Sequence, residues 1–142
     1  MTINLRNVLA YMKEDLRGWD KINFEFTTTN DDVTAKADIT INSINANVMI
    51  IIKAYSGGGA VFRAVFDKIE KTPRILSLLN DFNRSSAFFK GFIRNDDYLE
   101  LEHYFVCYEE GMFRDYCSEF LVRLSNAAKE EELRRLVDYT YS

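Results

Sequence analysis

The chain has 142 residues, one domain's length, enough to bury roughly two-thirds of the surface its unfolded form would expose. An apolar fraction of 47%, with 14% aromatic and 28% charged residues, excludes a disordered type. The 18 basic and 22 acidic residues give a net charge of -4 with no local basic run, which argues against nucleic acid as a partner.

Taken in chain order, Leu5, Val8, Leu9, Met12 and Leu16 fall at helical spacing between Asn4 and Arg17, and Gly18 ends the pattern. Ile22, Phe24 and Phe26 then alternate with polar residues, predicting a strand, and Asn30-Asp31-Asp32 is a turn signal. The alternation from Val33 to Asn42 is the cleanest strand pattern, and the short loop before it makes the pair antiparallel. After the polar break Asn42 to Asn47, the segment from Val48 to Tyr55 is apolar on both faces and reads as a central strand. The turn Ser56-Gly57-Gly58-Gly59 leads to a fourth strand, Ala60 to Phe66, completing a meander.

Thr72-Pro73 marks a capped helix start, and Ile75, Leu76, Leu78, Leu79 and Phe82 supply its apolar stripe. Phe88 to Ile93 predicts a strand with Phe89, Gly91 and Ile93 on one face and Phe88, Lys90 and Phe92 on the other. The turn Arg94-Asn95-Asp96-Asp97 connects it to a return strand. There, Leu99, Leu101, His103, Phe105 and Cys107 face one way, and Tyr98, Glu100, Glu102, Tyr104, Val106 and Tyr108 face the other. Beyond Gly111, Phe113, Tyr116, Cys117, Phe120, Leu121 and Leu124 define a helix. Lys129 to Tyr139 either continues it or forms a second one, with Leu133, Leu136 and Val137 inward. The expectation is one α+β domain over residues 1–142, an antiparallel sheet with helices in the order α-β-β-β-β-α-β-β-α.

Candidate chemistry is sparse. His103 is the only histidine, and its place on an apolar strand face suits a hydrogen-bonded, partly buried imidazole. Cys107 shares that face, but four residues along a strand span about 13 Å, too far for direct proton transfer. Cys107 and Cys117 lack ligand-like spacing and read as reduced core thiols. The glycine run at Gly57 lacks the lysine and the following helix of a phosphate loop. The acidic turns, Asp31-Asp32 and Asp96-Asp97, lack calcium-loop spacing. No catalytic residue, metal site or cofactor is expected.

No apolar run approaches the roughly 20 residues of a spanning helix, and the N-terminal pattern carries charges unlike a signal peptide. A cytoplasmic location and no membrane partner are expected. What remains is apolar surface. Phe88, Phe92, Tyr104, Val106 and Tyr108 form an aromatic face that either the C-terminal helix covers or a partner does, in a dimer or with a client protein. A cavity between sheet and helices lined by Phe24, Phe62 and Tyr116 is the competing expectation.

Leu79-Asn80-Asp81-Phe82-Asn83, Phe88 to Ile93, Tyr98-Leu99-Glu100-Leu101-Glu102, and Gly111 opening the helix with Phe120 and Leu121 carry a resemblance. In this order of elements the chain resembles the YbjN-like family of bacterial sensory transduction regulators, and in turn the class I type III secretion chaperones. That resemblance implies a type III secretion chaperone-like fold and a non-enzymatic, homodimeric domain that binds a protein or peptide segment. The chain departs from the chaperone pattern in having four strands, not three, before the middle helix.

Overall fold

The computed structural model describes residues 2–140, with side chains to Asp138. Asn4 caps α1, Leu5–Leu16: its side-chain oxygen accepts from the Arg6 and Asn7 N–H groups, two donors with no partner inside the helix. Four strands follow as a meander, β1 Glu25–Thr28, β2 Asp32–Ile41, β3 Ala46–Tyr55 and β4 Gly59–Lys68. The turn between β3 and β4 closes by a bond from the Gly58 N–H to the Tyr55 carbonyl (2.9 Å). Gly58 takes a φ of 98° there, which a side chain would resist.

Thr72 caps α2, Pro73–Ser85, by accepting from the Ile75 N–H at 3.1 Å, with the proline in the first turn as its spacing predicts. The hairpin β5, Lys90–Ile93, and β6, Tyr98–Val106, comes next, then α3, Phe113–Ala127, and α4, Glu131–Thr140. All six strands pair antiparallel in the order β1-β2-β3-β4-β6-β5, so the hairpin docks its second strand against β4.

Each of the four helices contributes residues to one core, against the same sheet face. Val8 and Met12 of α1, Ile75 and Phe82 of α2, Phe113 and Phe120 of α3, and Leu133 and Leu136 of α4 pack with Ala35, Ile50, Phe62 and Leu101 from the strands. Small residues on that face, Ala35, Ala54, Ala60 and Ala64, make room for the larger helix side chains.

Several expectations need correction. β1 begins at Glu25, not Ile22, because a turn from Trp19 takes the Ile22 N–H (2.9 Å) and holds the segment off the ladder. Leu76 falls on the flank of α2 and is half exposed, while Ile75, Leu78 and Phe82 form the buried stripe. Of the two alternatives for Lys129 to Tyr139, the structure has the second, a separate helix. Bonds from Lys129 N–H to the Asn126 carbonyl and Glu130 N–H to the Ala127 carbonyl, both 3.0 Å, tighten the last turn of α3 and end it.

Candidate functional site

With the helices gathered on one side, the opposite sheet face carries no covering element among the described residues. The C-terminal helix packs into the core against α2 and β4, so it does not cover the aromatic face. Strand alternation aims Met49, Ile51, Lys53 and Tyr55 of β3, Val61, Arg63 and Val65 of β4, and Glu100, Glu102, Tyr104 and Val106 of β6 to this open side. Two hollows of about 700 and 500 Å³ lie on it, lined in part by Ile51, Arg63, Asp96 and Glu100.

At its centre, Glu100 and Glu102 are only 3% exposed. Carboxylates are almost never buried unpaired, and two guanidinium groups hold these. Arg63 donates to Glu100 Oε1 at 2.7 Å and lies 3.5 Å from Glu102; Arg94 donates to Glu100 Oε2 at 3.1 Å and also to Glu102. Arg94 reaches them because the turn after β5 folds back, closed by the Asp97 N–H on the Arg94 carbonyl, with Asp97 at a φ of 67°. Short acidic side chains tolerate that left-handed region. The Arg94 guanidinium also sits 5.3 Å from the Phe92 ring centre. Neither arginine was singled out by sequence reasoning. The available signal was Arg63 preceding a strand with two acids at a spacing of two, but only sheet pairing could join them.

Of the aromatic-face residues, Phe92 (42% exposed), Tyr104 (66%) and Val106 (50%) belong to the open side of β5 and β6. Tyr108 (74%) lies just beyond the strand. Phe88 does not join them. It precedes β5, and its ring stacks on His103 at 3.9 Å, nearly parallel, on the helix side. Its carbonyl can only accept, so the 2.8 Å contact with His103 Nδ1 is an N–H donated by the imidazole, leaving Nε2 free of that bond.

Between β6 and α3 this arrangement leaves an aromatic cleft of about 450 Å³, lined by Phe62, Phe88, His103, Phe105, Met112 and Tyr116, with Val106, Tyr108 and Glu119 at its rim. Phe62 and Tyr116 therefore share a cleft as expected. Phe24 does not: it lies near Phe26 and α1, in a separate hollow with Lys13 and Trp19.

Asn83 ties α2 to β5 through the backbone of Gly91. Its Oδ1 accepts from the Gly91 N–H at 2.6 Å and its Nδ2 donates to the Gly91 carbonyl at 3.1 Å. The glycine permits this approach, since a Cβ there would lie 2.7 Å from Leu79 Cδ1.

Cys107 and Cys117 are both free and buried. Burial pushes both thiols up, Cys117 far more, with the Asp15 charge adding to it; for Cys107 a backbone hydrogen bond at Glu109 opposes the rise, and the Glu110 and Glu109 charges add to it. The unfolded chain therefore loses its thiol protons first. Stability is fully present below the ordinary thiol range and falls as pH rises through it. Melting temperatures compared at about pH 7 and about pH 10 should show a smaller alkaline loss in Cys117→Ala than in the parent; equal losses would refute this assignment.

Among the described residues, no three His, Cys, Asp or Glu side chains are placed to hold a metal ion, and no helix is long and apolar enough to cross a membrane. The geometry thus offers a preassembled ion-pair lattice, an exposed aromatic face and a cleft.

Comparison with curated proteins and with solved structures gave no match. The profile of one family, described as "Putative bacterial sensory transduction regulator", matches residues 17–137, most of the chain and all six strands. The chain belongs to the YbjN family.

Proposed function

We propose that this domain is a non-enzymatic regulator that works by binding a protein segment on its helix-free side, and that two copies associate through the same surface. The observation that carries this reading is the uncovered sheet face, where Phe92, Tyr104 and Val106 stand exposed around the lattice that Arg63 and Arg94 form over the buried Glu100 and Glu102. Aromatic side chains exposed beside fixed charges are the composition of an interaction surface, since the rings supply area at low entropy cost and the charges set register. The family's regulatory description agrees with a binding role.

Size exclusion with light scattering should report a dimer. Phe92→Glu and Tyr104→Glu should weaken association, or capture of the partner from the native host, by at least about tenfold. Tyr104 stands clear of the lattice, so melting of Tyr104→Glu should stay within about 0.5 kcal/mol of the parent; Phe92→Glu also removes the ring beside Arg94, and circular dichroism should show it folded though less stable. A well-folded monomer whose partner capture is indifferent to both substitutions would end the proposal. A small apolar ligand in the cleft is the second reading, favoured by the cleft's volume, which falls in the range of roughly 300–1,000 Å³ typical of ligand sites.

A further inference from the structure

We infer that the outer edge of β6 at Tyr104 and Val106, with the aromatic cleft beside it, is a strand-addition site for an extended peptide bearing an aromatic or long aliphatic side chain. This rests on the protein-binding reading above and locates it at a strand edge.

The register fixes which backbone groups point outward. Asn83 holds both the N–H and the carbonyl of Gly91, so these face away from β6. In an antiparallel ladder the partner of Gly91, Leu101, then turns its own groups toward β4, and the even-numbered residues of β6 turn theirs toward β5. Two further bonds agree: the Arg94 N–H meets the Tyr98 carbonyl at 3.1 Å, and the Cys107 N–H meets the Gly58 carbonyl at 2.6 Å.

β5 begins at Lys90, opposite Glu102, and goes no further back. The chain before it is diverted, because Ser86 Oγ accepts the Phe89 N–H at 3.2 Å and His103 takes the Phe88 carbonyl. Tyr104 and Val106 therefore present two N–H groups and two carbonyls, and among the described residues no strand pairs with them. The next outward N–H, that of Tyr108, is occupied by Met112 Sδ at 3.3 Å, so the open edge is short and bounded.

An added strand would run between β6 and α3. Its residues alternate, one side chain turning into the cleft over Phe105 and Tyr116 and the next lying beside the exposed Tyr104 and Val106. Backbone bonds would supply affinity and the cleft selectivity, the division of labour general to strand addition. The one carboxylate of the cleft, Glu119, is paired at 2.9 Å with Arg123, whose guanidinium lies 4.9 Å over the Phe88 ring, so the charges at the cleft neutralise each other and an uncharged apolar side chain suits it.

The other sheet edges are less suited. Asn83 blocks β5 at Gly91. Beside β1 the hollow is about 290 Å³, and Lys13 already lies 5.4 Å over the Phe26 ring.

The test is to pan a random heptapeptide phage library on the full chain and synthesise the selected peptide with and without backbone N-methylation. The proposal expects an aromatic or long aliphatic residue enriched at one position, slowed amide exchange at Tyr104 and Val106 on binding, and at least about tenfold weaker binding after N-methylation.

Val106→Pro, which removes one outward N–H and leaves the β4 ladder intact, should weaken binding. Tyr116→Ala, on α3, serves if that variant does not fold. Failure to enrich any peptide, unchanged binding of the N-methylated peptide, or a dimer that pairs through this edge in place of the peptide would overturn the proposal. Binding lost in Phe92→Glu but kept in Val106→Pro and Tyr116→Ala would overturn it too, while leaving the open-face reading standing.

Discussion

Replacing Arg63 and Arg94 together by methionine is expected to lower the unfolding free energy by about 3–5 kcal/mol, the cost of leaving buried charges without partners. Each arginine reaches both glutamates, so either one alone still spans the pair. Single replacements should therefore cost much less, about 1–2 kcal/mol, because the remaining guanidinium is partly exposed and can shift over both carboxylates. The double loss should exceed the sum of the singles, the mark of a shared network. Urea unfolding of the four proteins measures it. Adding Glu100→Gln and Glu102→Gln to the double variant should recover most of the stability, since the unpaired charge is then gone. Additive single effects would show that the lattice is four separate contacts.

The second large effect is expected at Phe120, whose side chain is fully buried where α3 meets the sheet. Its ring lies 4.8 Å from that of Phe62 and 5.6 Å from that of Phe89, tying β4, α3 and the entry to β5 at one point. Phe120→Ala should cost about 3–5 kcal/mol, combining lost apolar transfer with the cavity left behind. Phe120→Leu, which keeps most of the volume, should cost about 1.5 kcal/mol or less. Denaturant midpoints at constant slope test both, and a loss below about 1 kcal/mol for the alanine variant would show that the surrounding helices close over the gap.

The two changes probe opposite sides of one sheet. Phe120 reports on the helix side, where burial of apolar surface holds the fold. The arginines report on the open side, where a neutralised lattice lets two acids sit in the floor of a surface. Strand β6 serves both: Leu99 and Leu101 face the core while Glu100 and Glu102 face the lattice. Past Glu102 the same strand outruns its neighbour, and the alternation that buries His103 and Phe105 in part leaves Tyr104 and Val106 outside.

Period and capping made most elements legible in the sequence. Thr72-Pro73 marked the start of α2, the alternation from Val33 marked β2, and the faces of β6 were assigned residue by residue, because these signals are local. Phe88 was misplaced for a related reason. Alternation counted back from Gly91 puts it beside Phe92, but a bond to Ser86 and a stacked histidine turn the chain before the strand begins. The serine is local, but the histidine lies 15 residues along the chain, beyond the reach of strand alternation.

The sequence by itself determined that this is an α+β domain with an antiparallel meander, one tempting histidine set on an apolar face, and more aromatic side chains than one core face can absorb. Tertiary structure alone decided that every helix packs on the same side, that Arg63 and Arg94 meet Glu100 and Glu102, and that β6 extends past β5 beside an open cleft. The physical reason is range. Periodicity and caps are set by neighbours a few residues apart, whereas a covered face, a shared ion lattice and an unpaired edge depend on which distant strand comes to lie alongside.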